Sequence, residues 1–177
     1  GDEAEEVAEA CRAHGVRALP VVADVSQPDG AQQLFDRALG RFGRVDILVN
    51  NVGASPRMGF LEMEFEDWQT CFDINLHSQF RTCKLAVPGM IERGWGRIIN
   101  FGGHTNLVTH GRGVHVKATK AAVVGLMRGL AGELGPHGIT ANVIAPHAID
   151  TPPRQNKYYR DDGANWDPVA RGVEKIP

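Results

Sequence analysis

Lys120 follows Val116 by four residues in the stretch "VHVKATKAAVVGL", residues 114–126. Four residues is one helical turn, so the two side chains stack on one face of a helix. A phenol at position 116 would have its acidity tuned by the ammonium and could exchange a proton with a substrate oxygen. Valine has no proton to give. The nearest titratable neighbour is His115, whose imidazole suits proton transfer near neutral pH. It stands five residues before Lys120, about 140° around the helix, and is expected to face loop or solvent rather than the lysine. His104, His110 and His115 crowd one segment and His147 could approach them, but their spacing fits no standard zinc pattern, and no metal is expected. Lys120 has two readings, a ribose ligand or a solvated helix lysine.

The elements that must position these residues alternate in type. Residues 2–15, "DEAEEVAEACRAHG", read as a helix with Val7, Ala8 and Cys11 inward and Gly15 as its stop. "VRALPVVADVS" reads as a strand. "PDGAQQLFDRALGRFG" reads as a helix with Leu34, Phe35, Ala38 and Phe42 on one side. "VDILVNN" is a continuous apolar run of the kind buried on both faces of a sheet. A Gly/Pro loop leads to one long helix whose core stripe is Trp68, Phe72, Leu76, Phe80, Cys83, Val87 and Met90. "GRIINF" is a third strand, residues 115–135 a further helix, and "ITANVIAP" a fourth strand. Strand and helix in alternation imply a parallel sheet covered on both faces. From position 147 onward the sequence turns polar and proline-bearing, as in an active-site loop or lid, or a disordered terminus.

Composition fits this plan. The 177 residues are 42% hydrophobic and 23% charged with a net charge of −2, values of a globular domain able to bury a core. Without Lys/Arg clusters, nucleic acid is not an expected partner. No apolar run reaches the roughly 20 residues of a membrane helix, and the acidic opening "GDEAEEVAEA" is unlike a signal peptide. A cytoplasmic protein with no membrane partner is therefore expected. Cys11, Cys71 and Cys83 have unrelated spacings and read as small buried hydrophobes in a reducing compartment.

Residues 2–151 resemble the short-chain dehydrogenase/reductase family of Rossmann-fold, NAD(P)-dependent oxidoreductases. "ADVS" is similar to that family's adenine-contacting turn, and "LVNNVG" matches its Asn-Asn-x-Gly motif beside the cofactor ribose. "FDINLHSQF" places Asn75 at the helix-kinking asparagine that anchors a proton-relay water. "HVKATKAAVVGLMRGLAGELGPHGITANVIAP" follows the catalytic helix and next strand. The resemblance implies a doubly wound α/β/α domain over residues 1–177, with core 2–151 and a lid-like tail 152–177. It assigns Asp24, Val25, Asn51, Val52, Gly53, Lys120 and Thr151 to NAD or NADP binding. Asn75 and Lys120 become relicts of the catalytic set. The family's tyrosine and serine positions are occupied by Val116 and Gly103, and Pro146-His147 replaces its Pro-Gly.

The resemblance also implies that a first strand and a Gly-x-x-x-Gly-x-Gly phosphate turn belong upstream of Gly1, so the chain is expected to be part of a longer product. "GLMRGLAG", residues 125–132, reads as close helix packing and does not replace that turn. In the family's strand order 3-2-1-4-5-6-7, two strands lie between "RALPVVAD" and "VDILVNN", so an incomplete sheet or compensating pairing is expected. Ala118, Ala121, Ala122, Gly125, Gly129 and Gly132 give the last long helix a small-residue face. In the family, this helix and the one beginning near Glu66 build dimers and tetramers. The expectation is a subunit without its own chemistry, bound to a homologous partner in an NAD(P)-dependent alcohol/ketone oxidoreductase. An active enzyme with an atypical proton relay and a nucleotide-sensing non-enzyme are the alternatives.

Overall fold

The computed structural model describes residues 2–56, 58–103 and 113–146. His104, His110, His147, Asp150, Thr151 and the tail 152–177 lie outside the described residues.

Three parallel strands form the sheet: β1 (Ile47–Asn50), β2 (Gly96–Phe101) and β3 (Ile139–Ile144), in the order β1-β2-β3. The helices are α1 (Asp2–Ala13), α2 (Pro28–Phe42), α3 (Phe65–Phe72), α4 (Ser78–Arg93) and α5 (Val114–Leu134). Register aligns Leu48 with Ile98 and Ile98 with Ala141, one row of side chains across the sheet. That row meets Cys83, Ala86 and Met90 of α4, Met127 and Leu134 of α5, and Phe35 of α2 in a single core. Alternating apolar residues turned to one face supply the strands' contribution, at roughly 25 cal/mol per Å² of apolar area buried. The result is a Rossmann-like α/β fold with a parallel sheet.

Three local expectations are corrected. Residues 16–24 make no sheet pairing among the described residues; a β-rich pattern supplies side-chain alternation, but a strand exists only with a hydrogen-bonded neighbour. Among the described residues β1 is paired on one side only, and on one of its faces Ile47 and Val49 are more than half exposed rather than buried. The long helix is broken into α3 and α4 by a π-helical turn, Asp73–His77. The wider turn shifts the helical face, so Phe80 is half-exposed while Cys71, Asn75, Ser78, Gln79, Thr82, Cys83, Ala86 and Met90 face inward. Gly43 ends α2 in the left-handed conformation with its N–H on Leu39 O at 2.7 Å.

Candidate active site

The residues of interest gather where the carboxyl ends of β1 and β2 meet the π-helical turn and the first turns of α5. Ligands of open α/β sheets bind outside such strand ends. The π-helical turn exists to place Asn75. Its side chain is fully buried and closes both polar groups of Ala54, accepting from Ala54 N at 2.7 Å and donating to Ala54 O at 2.9 Å. The same amide nitrogen lies 3.2 Å from Thr119 Oγ1 and 3.3 Å from Cys71 Sγ. One asparagine thus ties the loop after β1 to α3 and α5. Leaving such groups unbonded when buried costs about 1–3 kcal/mol each.

Gly53 lies between Asn75 and Lys120. A Cβ there would stand 3.3 Å from Asn75 Oδ1, a tight approach, and 3.4 Å from Lys120 Nζ, ordinary contact. Lys120 Nζ donates to Phe101 O at 2.9 Å at the end of β2. Burial holds its pKa below the usual lysine value, with nearby Cys71 acting the other way. An ammonium has three donors, and the Phe101 carbonyl takes one. Val116, one turn earlier, is buried, and its carbonyl accepts from Thr119 Oγ1 at 2.8 Å. Gly103 follows the end of β2 and presents no side chain.

Burial also pushes the Cys71 thiol above its usual pKa, against the opposing effects of Thr119, Asn75 and Lys120. Beneath this layer lies a second polar network that the sequence reading missed. Thr82 Oγ1 donates to Asn50 Oδ1 at 2.8 Å, Asn50 Nδ2 to Asn100 Oδ1 at 2.9 Å, and Asn100 Nδ2 to Gln79 Oε1 at 2.6 Å. All four residues are buried, and Gln79 Nε2 is left without a partner. The available signal was an asparagine closing each of the apolar runs "ILVN" and "RIIN". Thr119, too, was overlooked, although it sits inside the quoted motif.

Other expected residues are placed elsewhere. Asp24 turns its carboxylate back on its own loop, accepting from Ser26 N at 3.0 Å and Ser26 Oγ at 2.6 Å. Arg81 of α4 binds Ser26 O at 2.6 Å and fixes this turn, with half-buried Val25 within it, beside α4 rather than beside Lys120. Asn51 and Val52 are exposed beyond the end of β1. His115 does not face solvent: its ring is fully buried with neither nitrogen bonded. Among the described residues no three His, Cys, Asp or Glu side chains group as a metal site, and no helix is long and apolar enough to cross a membrane.

A family model described as short chain dehydrogenase matches residues 1–162. The chain belongs to the short-chain dehydrogenase family. It is 35% identical over 144 residues to a 3-oxoacyl-[acyl-carrier-protein] reductase of Synechocystis, covering 81% of this chain and 58% of that protein. With the corresponding reductase of Pseudomonas aeruginosa it shares 34% identity over 148 residues, 84% of this chain and 60% of the relative. Among solved structures, acetoin dehydrogenase from Enterobacter cloacae superposes with a TM-score of 0.79 at 36% identity, covering 84% of this chain and 59% of the other. A short-chain dehydrogenase from Streptomyces avermitilis gives 0.77 at 30% identity, covering 84% and 55%. The chain thus spans about three fifths of the length of the curated relatives it matches.

Short-chain dehydrogenases generally bind NAD(P), and the donor set here suits the ribose end of such a cofactor. Among the described residues the Lys120 ammonium donates to Phe101 O and lies beside Gly53 at the strand ends. Among the described residues, none forms a glycine-rich turn feeding a helix N-terminus for the phosphates.

Proposed function

We propose that this short-chain dehydrogenase chain is a structural or regulatory subunit of an NAD(P)-dependent alcohol/ketone oxidoreductase assembly, with the chemistry carried by a homologous partner. The observation that carries this reading is the buried valine at position 116, one turn before Lys120, together with a side chain-less Gly103. Hydride transfer is the cofactor's chemistry. What the protein must add is a positioned proton, typically worth 10²–10⁴-fold. Neither position here can supply it. Support for an assembly role comes from α5, where Gly125, Gly129 and Gly132 have open space around the Cβ position and Ala121 is exposed. Such a face admits another helix closely. The relatives named above are two reductases and two dehydrogenases, which supports oxidoreduction as the business of the whole assembly.

The Lys120 ammonium at the strand ends favours a second reading, in which the chain binds a nucleotide without turning it over. The complete gene product, assayed alone with NADH and NADPH against small ketones, is expected to show no turnover. The G103S/V116Y double variant is then expected to gain cofactor-dependent reduction, provided the nucleotide binds. A wild-type activity abolished by changing Lys120 or Asn75 overturns the proposal. A cofactor-dependent rise in Tm without reaction selects the second reading.

A further inference from the structure

His115 is the second residue of α5, and its ring has no surface exposure. Among the described residues neither Nδ1 nor Nε2 has a hydrogen-bond partner. A buried neutral imidazole carries a donor and an acceptor and ordinarily satisfies both. The ring lies close to the residue on which α5 starts: Gly113 has φ +93°, and a Cβ built on it would be 3.9 Å from His115 Cε1. The ring therefore sits beside the residue on which α5 starts. At the start of a helix the backbone dipole disfavours a positive charge.

We propose that His115 is an acid-sensitive latch: neutral and buried, it holds the first turn of α5 in place, and once protonated it leaves its buried position and frees the turn bearing Val116 and Thr119. This inference does not rest on the subunit reading; it concerns the same site helix whichever chemistry the assembly performs.

Among the described residues, the following charges bear on the direction. On α3, Asp67 favours the cation, but its Oδ2 already accepts from Glu64 N at 3.1 Å. Cys71, also on α3, is held by Asn75. The π-helical turn contributes Asp73 and His77, bonded to one another at 2.8 Å. β3 has no ionisable residue, nor has the nearby pair Pro56 and Met58. On α5 itself Lys117 and Lys120 oppose a further cation, and the turn Gly135–His137 lies at the helix's far end. Burial outweighs Asp67 and lowers the ring's pKa from 6.5. A group whose folded pKa is depressed binds more protons when released, so the latch is fully engaged above 6.5 and weakens as pH falls towards the folded value. The consequence reaches the site because Thr119, one turn on, is tied to Asn75, which holds Ala54.

Hydrogen exchange read by mass spectrometry on the full chain, from about pH 7.5 to about pH 5 and corrected for intrinsic rates, tests this. Opening of residues 113–120 is expected to rise by up to about tenfold per pH unit below 6.5, with α4 unaffected. In His115→Phe the rise is expected to vanish. An identical rise in that variant, or a pH-independent opening in the wild type, overturns the proposal. Should the variant not fold, titration of the wild-type ring by NMR serves instead: a His115 midpoint below 6.5 supports the latch, and one at or above it overturns it.

Discussion

Replacing Asn75 by alanine is expected to be among the most damaging single changes in this chain, for reasons that can be counted. The side chain closes Ala54 N–H at 2.7 Å and Ala54 C=O at 2.9 Å, and it donates to Thr119 Oγ1 at 3.2 Å. Ala54 is only 4% exposed, so water cannot take over. Two orphaned backbone groups at about 1–3 kcal/mol each give a loss of roughly 2–6 kcal/mol. That is a large part of the 5–15 kcal/mol typical of a domain. Urea unfolding followed by circular dichroism measures it: the midpoint should fall with the slope unchanged. Asn75→Asp keeps an acceptor for Ala54 N–H but removes the donor and buries a charge, so it should not rescue. A loss below about 1 kcal/mol for Asn75→Ala would refute the reasoning that this asparagine, rather than apolar packing, holds the loop after β1 against α5.

Further outcomes follow from the same geometry. Lys120→Met should leave stability at neutral pH unchanged or raise it by up to about 1 kcal/mol, since a buried methionine has no charge to desolvate. Because burial lowers the folded pKa of Lys120, wild-type stability should gain only as pH rises towards 10.5, a gain absent in Lys120→Met and visible in urea midpoints. A thiol reagent should modify Cys11 alone in the native protein, because Cys71 and Cys83 are buried and the Cys83 thiol is pushed up to about 12; all three should react in denaturant. Gly96→Ala should cost about 1–3 kcal/mol in urea unfolding, since its Cβ would meet Met90 Sδ at 2.5 Å and Met90 Cβ at 2.9 Å.

The sequence revealed the fold where local signals and tertiary context agree. "ILVN", "GRIINF" and "ITANVI" are strands as their apolar runs imply, and the small-residue helix runs as one piece from Val114 to Leu134. Residues 16–24 read as a strand yet have no paired neighbour, because pairing depends on what lies alongside and not on the segment's own pattern. Likewise, heptad-like counting carried Phe80 into the core. The π-helical turn, favoured by a buried asparagine's bonds to a distant loop, rotated it out. Gly53, Asn75 and Lys120 come together in the structure, and the turn holding Asp24 and Val25 lies beside α4. The Asn50–Asn100–Gln79–Thr82 network was hidden because single polar residues inside apolar patterns look like interruptions until several converge.

Native mass spectrometry of the complete protein purified from its own source tests the central claim most directly. The subunit account predicts a hetero-oligomer in which this chain is bound to a second dehydrogenase that carries both a tyrosine and a serine at the positions of Val116 and Gly103. A homo-oligomer that turns over NAD(P)H by itself, with activity lost in Lys120→Met, would contradict it.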